Sequence, residues 1–415
     1  MKVLVVASTF PAHEKDKAPA FVREQIIHMK KQNPSLDFHV LAPHYSNETD
    51  KFSATDYFKE HRFSYFWPSK YQKLAGRGIV PAIESNKFFY LQVPFLFFFE
   101  FFALLRLVRK IQPDIIYAHW FTPQGIVASI VSSFTKRPWV LTSHASDVEI
   151  WKKIPFGGMI VRRFLPRATA VTAVSQRTLE RMKIFFSDSQ WEDKLSSKVE
   201  IIPMGVDTSK FSAPRKSRED LKAEYGLTGK KTILFIGRLA RIKGIEYLIQ
   251  AFEKASQKDS DLHLVIAGDG PLREELQQLT TELNLNDTVE FTGYISGTPK
   301  EDYFHLADIV AVTSIIAEDG SREGLPVVIM EALAAGKICI ATDASGADVI
   351  IEDSVNGYIV PEKDVDALAK SIQAIANLDQ DHLDVIKQAA QTSSIELDWG
   401  TVADQHIYHL LKERS

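Results

Sequence analysis

Between Glu323 and Gly336 the chain reads EGLPVVIMEALAAG, which sets two carboxylates, Glu323 and Glu331, around a helix start with seven residues between them. Pro326 is a favoured first-turn residue, and Ala332, Leu333, Ala334 and Ala335 are strong helix formers. A helix is therefore expected to begin near Leu325 and stop at Gly336. Its free N–H groups carry about half a positive charge and attract an anion. Glu323 would sit at the mouth and Glu331 about two turns inside. Ionised carboxylates only accept hydrogen bonds, which suits hydroxyl-rich ligands such as a hexose and a ribose. An ordinary amphipathic helix with a capping acid has the same spacing.

A cationic pair precedes this helix. KTILFIGR, Lys231 to Arg238, is an apolar strand ending at Gly237, and LARIKG follows before a helix near Ile245. Arg238 and Lys243 thus share one strand-to-helix loop. A planar fork of donors beside a mobile point charge suits a diphosphate, although two solvated surface cations would look alike. LHLVIAGDGPL is a strand from Leu262 to Ala267 followed by a turn at Gly268, Asp269, Gly270 and Pro271. Leu272 and Arg273 follow with no third glycine, so this is not a dinucleotide-binding fingerprint. Near the middle of the chain, VLTSHASDV ends a strand at Thr142 and presents Ser143, His144 and Asp147 at its carboxyl end, where α/β sheets carry functional groups. His119, in YAHW, is placed similarly.

The elements that must position these groups alternate along the chain. Apolar strands are expected at Lys2 to Ala7, Phe38 to Ala42, Asp114 to Ala118, Trp139 to Thr142 and Ala170 to Ala173, and a second series at Thr232, Leu262, Val289, Ile309 and Ile338. Continuous apolar strands separated by helical patterns indicate parallel sheets covered on both faces. At 415 residues the chain is too long for one domain and suits two. Pro203 and Gly205, in IIPMGVDTSKF, mark the expected boundary. Charged residues make up 25% with a net charge of −4, which gives no electrostatic case for nucleic acid. The single cysteine, Cys339, lies in the apolar run KICIAT, so a buried thiol and a reducing, cytoplasmic compartment are expected. MKVLVVAS reads as a strand and not as a signal peptide.

Five motifs stand in a set order: GRL…KG at Gly237 to Gly244, GDGPL at Gly268 to Leu272, FTGYI at Phe291 to Ile295, EGLPVVIMEALAAG, and GADVIIEDSVNGYIV at Gly346 to Val360. In this order they resemble glycosyltransferase family 4, the large retaining family with the GT-B fold. The resemblance covers essentially the whole chain and is weaker in the N-terminal half. It implies an α/β protein with two doubly wound Rossmann-like domains facing each other across a cleft: an acceptor-side domain at 1–205, a nucleotide-sugar domain at 206–395, and a last helix at 396–415, capped by Asp398, crossing back to the first. It also implies that Arg238 and Lys243 bind the donor diphosphate and that Glu331 binds the ribose. Glu323 with Gly324, Leu325 and Pro326 would hold the transferred sugar, Gly293, Tyr294 and Ile295 would frame the base, and Gly237 and Gly268 would line the donor site. His144 would face the donor sugar, with Phe21, His119 and Asp147 as acceptor-side candidates. FVREQ, from Phe21, resembles the opening helix of bacterial polysaccharide-assembly transferases. The chain departs from the family at Ala18, Pro19, Ala20 and Phe21, where adjacent glycines are common, at Ala145, where Gly is common, and at Met204, where Asn is usual.

The implied activity is retaining transfer of a hexosyl-type group from a UDP- or GDP-linked sugar to a saccharide or lipid-linked saccharide acceptor in cell-surface polysaccharide or glycolipid synthesis. No cofactor or metal is expected, since Asp364-Val365-Asp366 opens a helix and reads as a cap. A sugar-nucleotide epimerase or hydrolase, or an inactive sugar-nucleotide-binding protein, would share the same cleft. Residues 62–110 add a membrane expectation. FFYLQVPFLFFFEFF, Phe88 to Phe102, is apolar nearly all round and interrupted by Pro94 and Glu100. Upstream, Arg62, Lys70, Lys73 and Arg77 alternate with Phe63, Tyr65, Phe66, Trp67 and Tyr71. Basic residues beside exposed aromatics suit an anionic surface at the inner face of the plasma membrane. A fully soluble acceptor is the alternative.

Overall fold

The structure is a computed structural model that describes residues 1–11, 13, 20–45, 50–75, 79, 82–83, 86–144, 148–152, 154–318 and 323–412. The chain divides into two compact units, one made of Met1–Gly205 and Trp399–Ser415, the other of Val206–Asp398.

Unit 1 is built on β1 (Lys2–Val6), β2 (Asp37–Pro43), β3 (Phe52–Ala54), β4 (Phe58–Phe63), β5 (Ile115–His119), β6 (Trp139–Ser143), β7 (Ala170–Ala173) and β8 (Val199–Ile201). They form one sheet in the order β3-β4-β2-β1-β5-β6-β7-β8, parallel throughout except for β3 against β4. The run KVLVVA is apolar at every position but the first because both of its faces are covered. Leu4 and Val6 join a core with Leu96, Leu104 and Val131, while Val3, Val5 and Ala7 join a second core with Val22, Ile26 and Met29. The helix Trp399–Lys412 completes that second core with Ala403, Ile407 and Leu410 and packs on the helix Phe21–Gln32.

Unit 2 contains β9 (Lys231–Ile236), β10 (Leu262–Ala267), β11 (Val289–Gly293), β12 (Ile309–Val312), β13 (Ile338–Thr342) and β14 (Tyr358–Val360). The order is β11-β10-β9-β12-β13-β14 and every pairing is parallel. Strand order reverses between β9 and β12, and the carboxyl ends of strands at such a switch point are where α/β sheets place their ligands. Cys339 lies buried in β13, where burial pushes its thiol up to about 12.

One glycine between β10 and its helix has no substitute. Gly268 adopts φ +154°, and a Cβ there would stand 1.8 Å from the carbonyl oxygen of Gly237. Gly268→Ala is expected to cost about 3 kcal/mol of stability, because the two strand-end loops must separate. Chemical unfolding measures it, and a midpoint equal to the parent's would contradict the close approach.

Several expectations need correction. β3, β4, β8 and β14 lack long apolar runs and were not foreseen; β4, FKEHRF, sets four polar residues between two phenylalanines beside the sheet edge. That strand also removes part of the expected basic-aromatic surface. Arg62 is buried, pairs with Glu60 and donates to the carbonyls of Pro43 and Phe10, while Phe63 and Tyr65 lie in the core. Trp67, Lys70, Tyr71 and Lys73 are exposed, and Arg77 lies outside the described residues.

Candidate active site

The carboxyl ends of the unit 2 strands gather the expected donor residues. Gly237 and Gly268 follow β9 and β10 directly and Gly293 ends β11: Gly237 N–H donates to Ala267 and Gly268 N–H to the carbonyl of Gly293 at 2.8 Å. The loop after β9 then turns at Gly244, φ +57°, where a Cβ would meet the carbonyl of Thr313 at 2.2 Å. Thr313 Oγ1 donates to the carbonyl of Lys243 at 3.0 Å, and Ile315 N–H donates to Ile242 at 2.9 Å. The β9 and β12 loops are thereby joined, and Lys243 is aimed back across Gly237. Its ammonium lies 2.5 Å from Glu323 Oε1, and the other oxygen of Glu323 accepts from Ser314 Oγ. Arg238, on the same loop, is exposed and makes no ion pair among the described residues. Tyr294 is exposed and Ile295 half-buried beside Gly293.

The helix that follows spans Val327–Ala334 and starts later than expected, because Pro326, with ψ 128°, stays extended as its N-cap residue. Gly324 and Pro326 are buried and Leu325 half-buried on the way in. Glu331 is consequently about one turn into the helix, not two. Lys300 Nζ lies 2.5 Å from Glu331 Oε1, while Glu331 Oε2 is buried with no hydrogen-bond partner among the described residues. A buried carboxylate oxygen left unpaired is an exception that a ligand hydroxyl would satisfy. Ser314 and Lys300 escaped the sequence reading. Ser314 carried the weak signal of a hydroxyl just past a strand end, whereas Lys300 carried none. Asp364, expected as a cap, does accept from Ala367 N–H at 2.9 Å, and Asp366 pairs with Lys254.

In unit 1, His119 ends β5 and His144 follows β6. Their Nδ1 and Nε2 atoms are 3.0 Å apart and their rings stack at 5.3 Å. Phe21 and Trp120 each hold a ring centroid 4.9 Å from that of His144. Two of the acceptor-side candidates, Phe21 and His119, therefore meet at His144, and Asp147 lies outside the described residues. Burial pushes His144 down to about 3 and His119 well below the usual histidine range, the latter also through His144 and His406. Both rings are neutral, so one nitrogen donates and the other accepts. Beneath them Tyr117 accepts from Gln25 at 2.8 Å and shares hydrogen bonds with Thr142 at 2.7 Å and with His406 at 3.2 Å. His406 comes from the helix Trp399–Lys412, too far along the chain for any local pattern to reveal it.

Burial also pushes His406, 2% exposed, down to about 3 from 6.5. A base whose folded value is depressed contributes its full stability above 6.5 and loses it as pH falls toward the folded value, because only the unfolded chain takes up the proton. Between pH 6.5 and about pH 5 the loss is about 2 kcal/mol for such a group. Denaturant unfolding at both pH values is expected to show His406→Asn losing that much less than the parent. Parallel losses in the two proteins would contradict it.

Residues 35–210 match the family model for Glycosyltransferase Family 4, and residues 217–392 match that for glycosyl transferases group 1, so the two matches together take up most of the chain. The chain belongs to glycosyltransferase family 4. Among its relatives in this family is TuaC of Bacillus subtilis, named for teichuronic acid biosynthesis, 32% identical over 64% of this chain and 61% of that one. Another is a GDP-mannose-dependent alpha-(1-6)-phosphatidylinositol monomannoside mannosyltransferase of Mycolicibacterium smegmatis, 29% identical over 64% of this chain and 69% of that one. Among solved structures, HepE of Anabaena in complex with UDP superposes with a TM-score of 0.71 at 20% identity, covering 99% of this chain and all of that one. Sucrose-phosphate synthase of Thermosynechococcus elongatus gives 0.75 at 19% identity over the whole of both chains. The fold of this family 4 glycosyltransferase is GT-B, with two Rossmann-like domains.

Proposed function

We propose that this protein is a retaining hexosyltransferase that moves a sugar from a nucleoside diphosphate to a saccharide or lipid-linked saccharide acceptor in cell-surface polysaccharide or glycolipid synthesis. The observation that carries this reading is the Lys243–Glu323 pair, held by Ser314 at the switch point of the sheet beside a helix start. Breaking a glycosyl–phosphate bond leaves negative charge on the diphosphate. Arg238, Lys243 and the free N–H groups of the helix Val327–Ala334 are the groups that stabilise it. An arriving diphosphate competes with Glu323 for Lys243 and frees the carboxylate to accept a hydroxyl of the transferred sugar. The unpaired Oε2 of Glu331 suits a ribose hydroxyl, while Lys300 holds the other oxygen in place. Gly293, Tyr294 and Ile295 are assigned to the base.

Unit 1 supplies the acceptor side. A neutral His144, oriented by His119, Phe21 and Trp120, offers a hydrogen-bonding nitrogen to a sugar hydroxyl. In related enzymes the departing phosphate takes the acceptor's proton, so no paired acid and base are required, and the cations are the chain's own. One relative is named for GDP-mannose and HepE was solved with UDP, so both nucleotides are kept as donors.

Purified protein is incubated with UDP- and GDP-sugars, and free nucleoside diphosphate is followed with and without saccharide acceptors. Release that requires acceptor, a product with the donor's anomeric configuration, and a rate unchanged by a chelator are expected. Isomerised donor without release would make the protein an epimerase, acceptor-independent release a hydrolase, and binding without turnover a sugar-nucleotide-binding protein. An inverted product would overturn retention.

A further inference from the structure

The helix Val93–Ile111 turns unlike faces to unlike surroundings. Leu96, Glu100, Leu104, Leu107 and Val108 are buried against unit 1. On the other side Phe95, Phe98, Phe99 and Phe102 are between 41% and 57% exposed. Their spacing of three and four residues makes one outer stripe. The rings lean on each other, Phe98 against Phe102 at 4.8 Å, and Phe101 links this stripe to Phe134 of the next helix at 6.3 Å. Phe88 and Leu91, 64% and 59% exposed, extend it at the amino end. The apolar surface so presented is on the order of 500 Å², at the upper end of what a monomer leaves uncovered.

Charge is distributed to match. The same outer stripe continues into Arg106 and Arg109, with Lys110 beside them, all exposed. Lys87 stands at the amino end, and the segment bearing Lys70 and Tyr71 is tied there by the Gln92 amide donating to the Tyr71 carbonyl at 2.8 Å. From Lys87 to Lys110 the one acid is Glu100, and it faces inward, where the Gln124 amide donates to it at 3.3 Å. By length and composition the stretch Lys87–Ile111 could cross a membrane, its 18-residue apolar window having a mean hydropathy of 1.9. Its inner face is committed to the protein core, and burial pushes the inward Glu100 carboxyl up to about 8. The segment therefore has one free side, not two.

We infer that the outer face of Val93–Ile111, with Phe88, Leu91 and Phe134, is a docking surface for an anionic lipid bilayer. The rings enter the acyl boundary, and Arg106, Arg109 and Lys110 meet the lipid phosphates at one end as Lys70 and Lys87 do at the other. A second copy of the chain fits the patch less well, since a stable homodimer buries about 800 Å² per partner. The surface is independent of the transfer chemistry, so its failure leaves the donor assignments untouched.

Flotation of the full chain with vesicles of phosphatidylcholine, alone or mixed with phosphatidylglycerol, tests the assignment. Binding to the mixed vesicles at low salt is expected. The double change Phe98→Ser with Phe102→Ser should lower partitioning at least about tenfold on them, and Arg106→Glu with Arg109→Glu should do the same. Both pairs are exposed, and circular dichroism shows whether each variant keeps its fold. If either pair unfolds the protein, the milder changes Phe98→Ala with Phe102→Ala and Arg106→Gln with Arg109→Gln take its place with the same sign of effect. No binding to anionic vesicles, or binding that no folded variant alters, would overturn the proposal. So would light scattering that finds a dimer in the parent and a monomer in the phenylalanine variant, which would make a second copy the occupant.

Discussion

Replacing Arg238 with alanine is expected to slow sugar transfer about a hundredfold and leave the melting temperature where it was. Arg238 is exposed and makes no ion pair among the described residues, so little in the resting fold depends on it. Its proposed work begins when charge builds on the departing diphosphate, and losing one donor of that kind costs on the order of 3 kcal/mol of transition-state stabilisation. Lys243→Ala should slow the reaction comparably, but it also strips Glu323 of its counter-ion and should lower stability. Arg238 is the cleaner probe for that reason. Steady-state rates and thermal melts on both variants settle the matter, and an Arg238→Ala enzyme within a few-fold of the parent would remove the diphosphate assignment.

The two glutamates should separate by the kind of defect they cause. In Glu323→Gln the amide keeps its size but no longer holds Lys243 by charge. Turnover is expected to fall about a hundredfold, while affinity for a free nucleoside diphosphate holds or rises, because Lys243 is released to the phosphates. Glu331→Gln acts in the opposite sense. The amide offers weaker acceptance to two ribose hydroxyls and turns a neutral group to Lys300, so nucleotide affinity should drop about tenfold, a loss near 1.4 kcal/mol. Calorimetry with UDP and with GDP compares them directly. Equal loss of affinity in both variants would contradict separate sugar and ribose roles.

Which parts of this arrangement could be read without coordinates follows from the range of the forces involved. Strands buried on both faces announce themselves as continuous apolar runs, so β1, β5, β6, β9, β10 and β13 were plain. β3, β4 and β14 lie at or beside sheet edges, where one side is free to be polar, and they were missed. The same effect misplaced Arg62 and Phe63, with Tyr65 just beyond them, because a short strand rich in polar residues imitates a basic, aromatic surface. Within the site, the positions of Gly237, Lys243, Glu323 and Glu331 at loop and helix starts were legible from local turn and helix chemistry. Their pairing was not. Lys243 meets Glu323 because β9 and β12 are neighbours in the sheet, and Lys300 meets Glu331 because its long side chain reaches over from the first turn of the helix Thr298–Leu306. Such adjacency is set by strand order, which no short window of sequence contains. The two-residue error in the helix start had a simpler origin: proline is compatible with the first turn and equally with an extended cap.

The return of Trp399–Lys412 to unit 1 bears on how the protein is made. As the nascent chain leaves the ribosome, the apolar faces of β1 and of the helix Phe21–Gln32 must wait, lacking Ala403, Ile407 and Leu410, until all of Val206–Asp398 has been synthesised. Unit 2 suffers no such delay. Its two ends already meet, with Val206 N–H donating to the Leu397 carbonyl at 2.8 Å and Asp398 accepting from the Thr208 hydroxyl at 2.6 Å. The half of the molecule that emerges second can thus finish folding first, the reverse of the usual order in which domains mature along a chain. Through that interval the earlier half carries an open apolar seam that chaperones or its own late helix must cover.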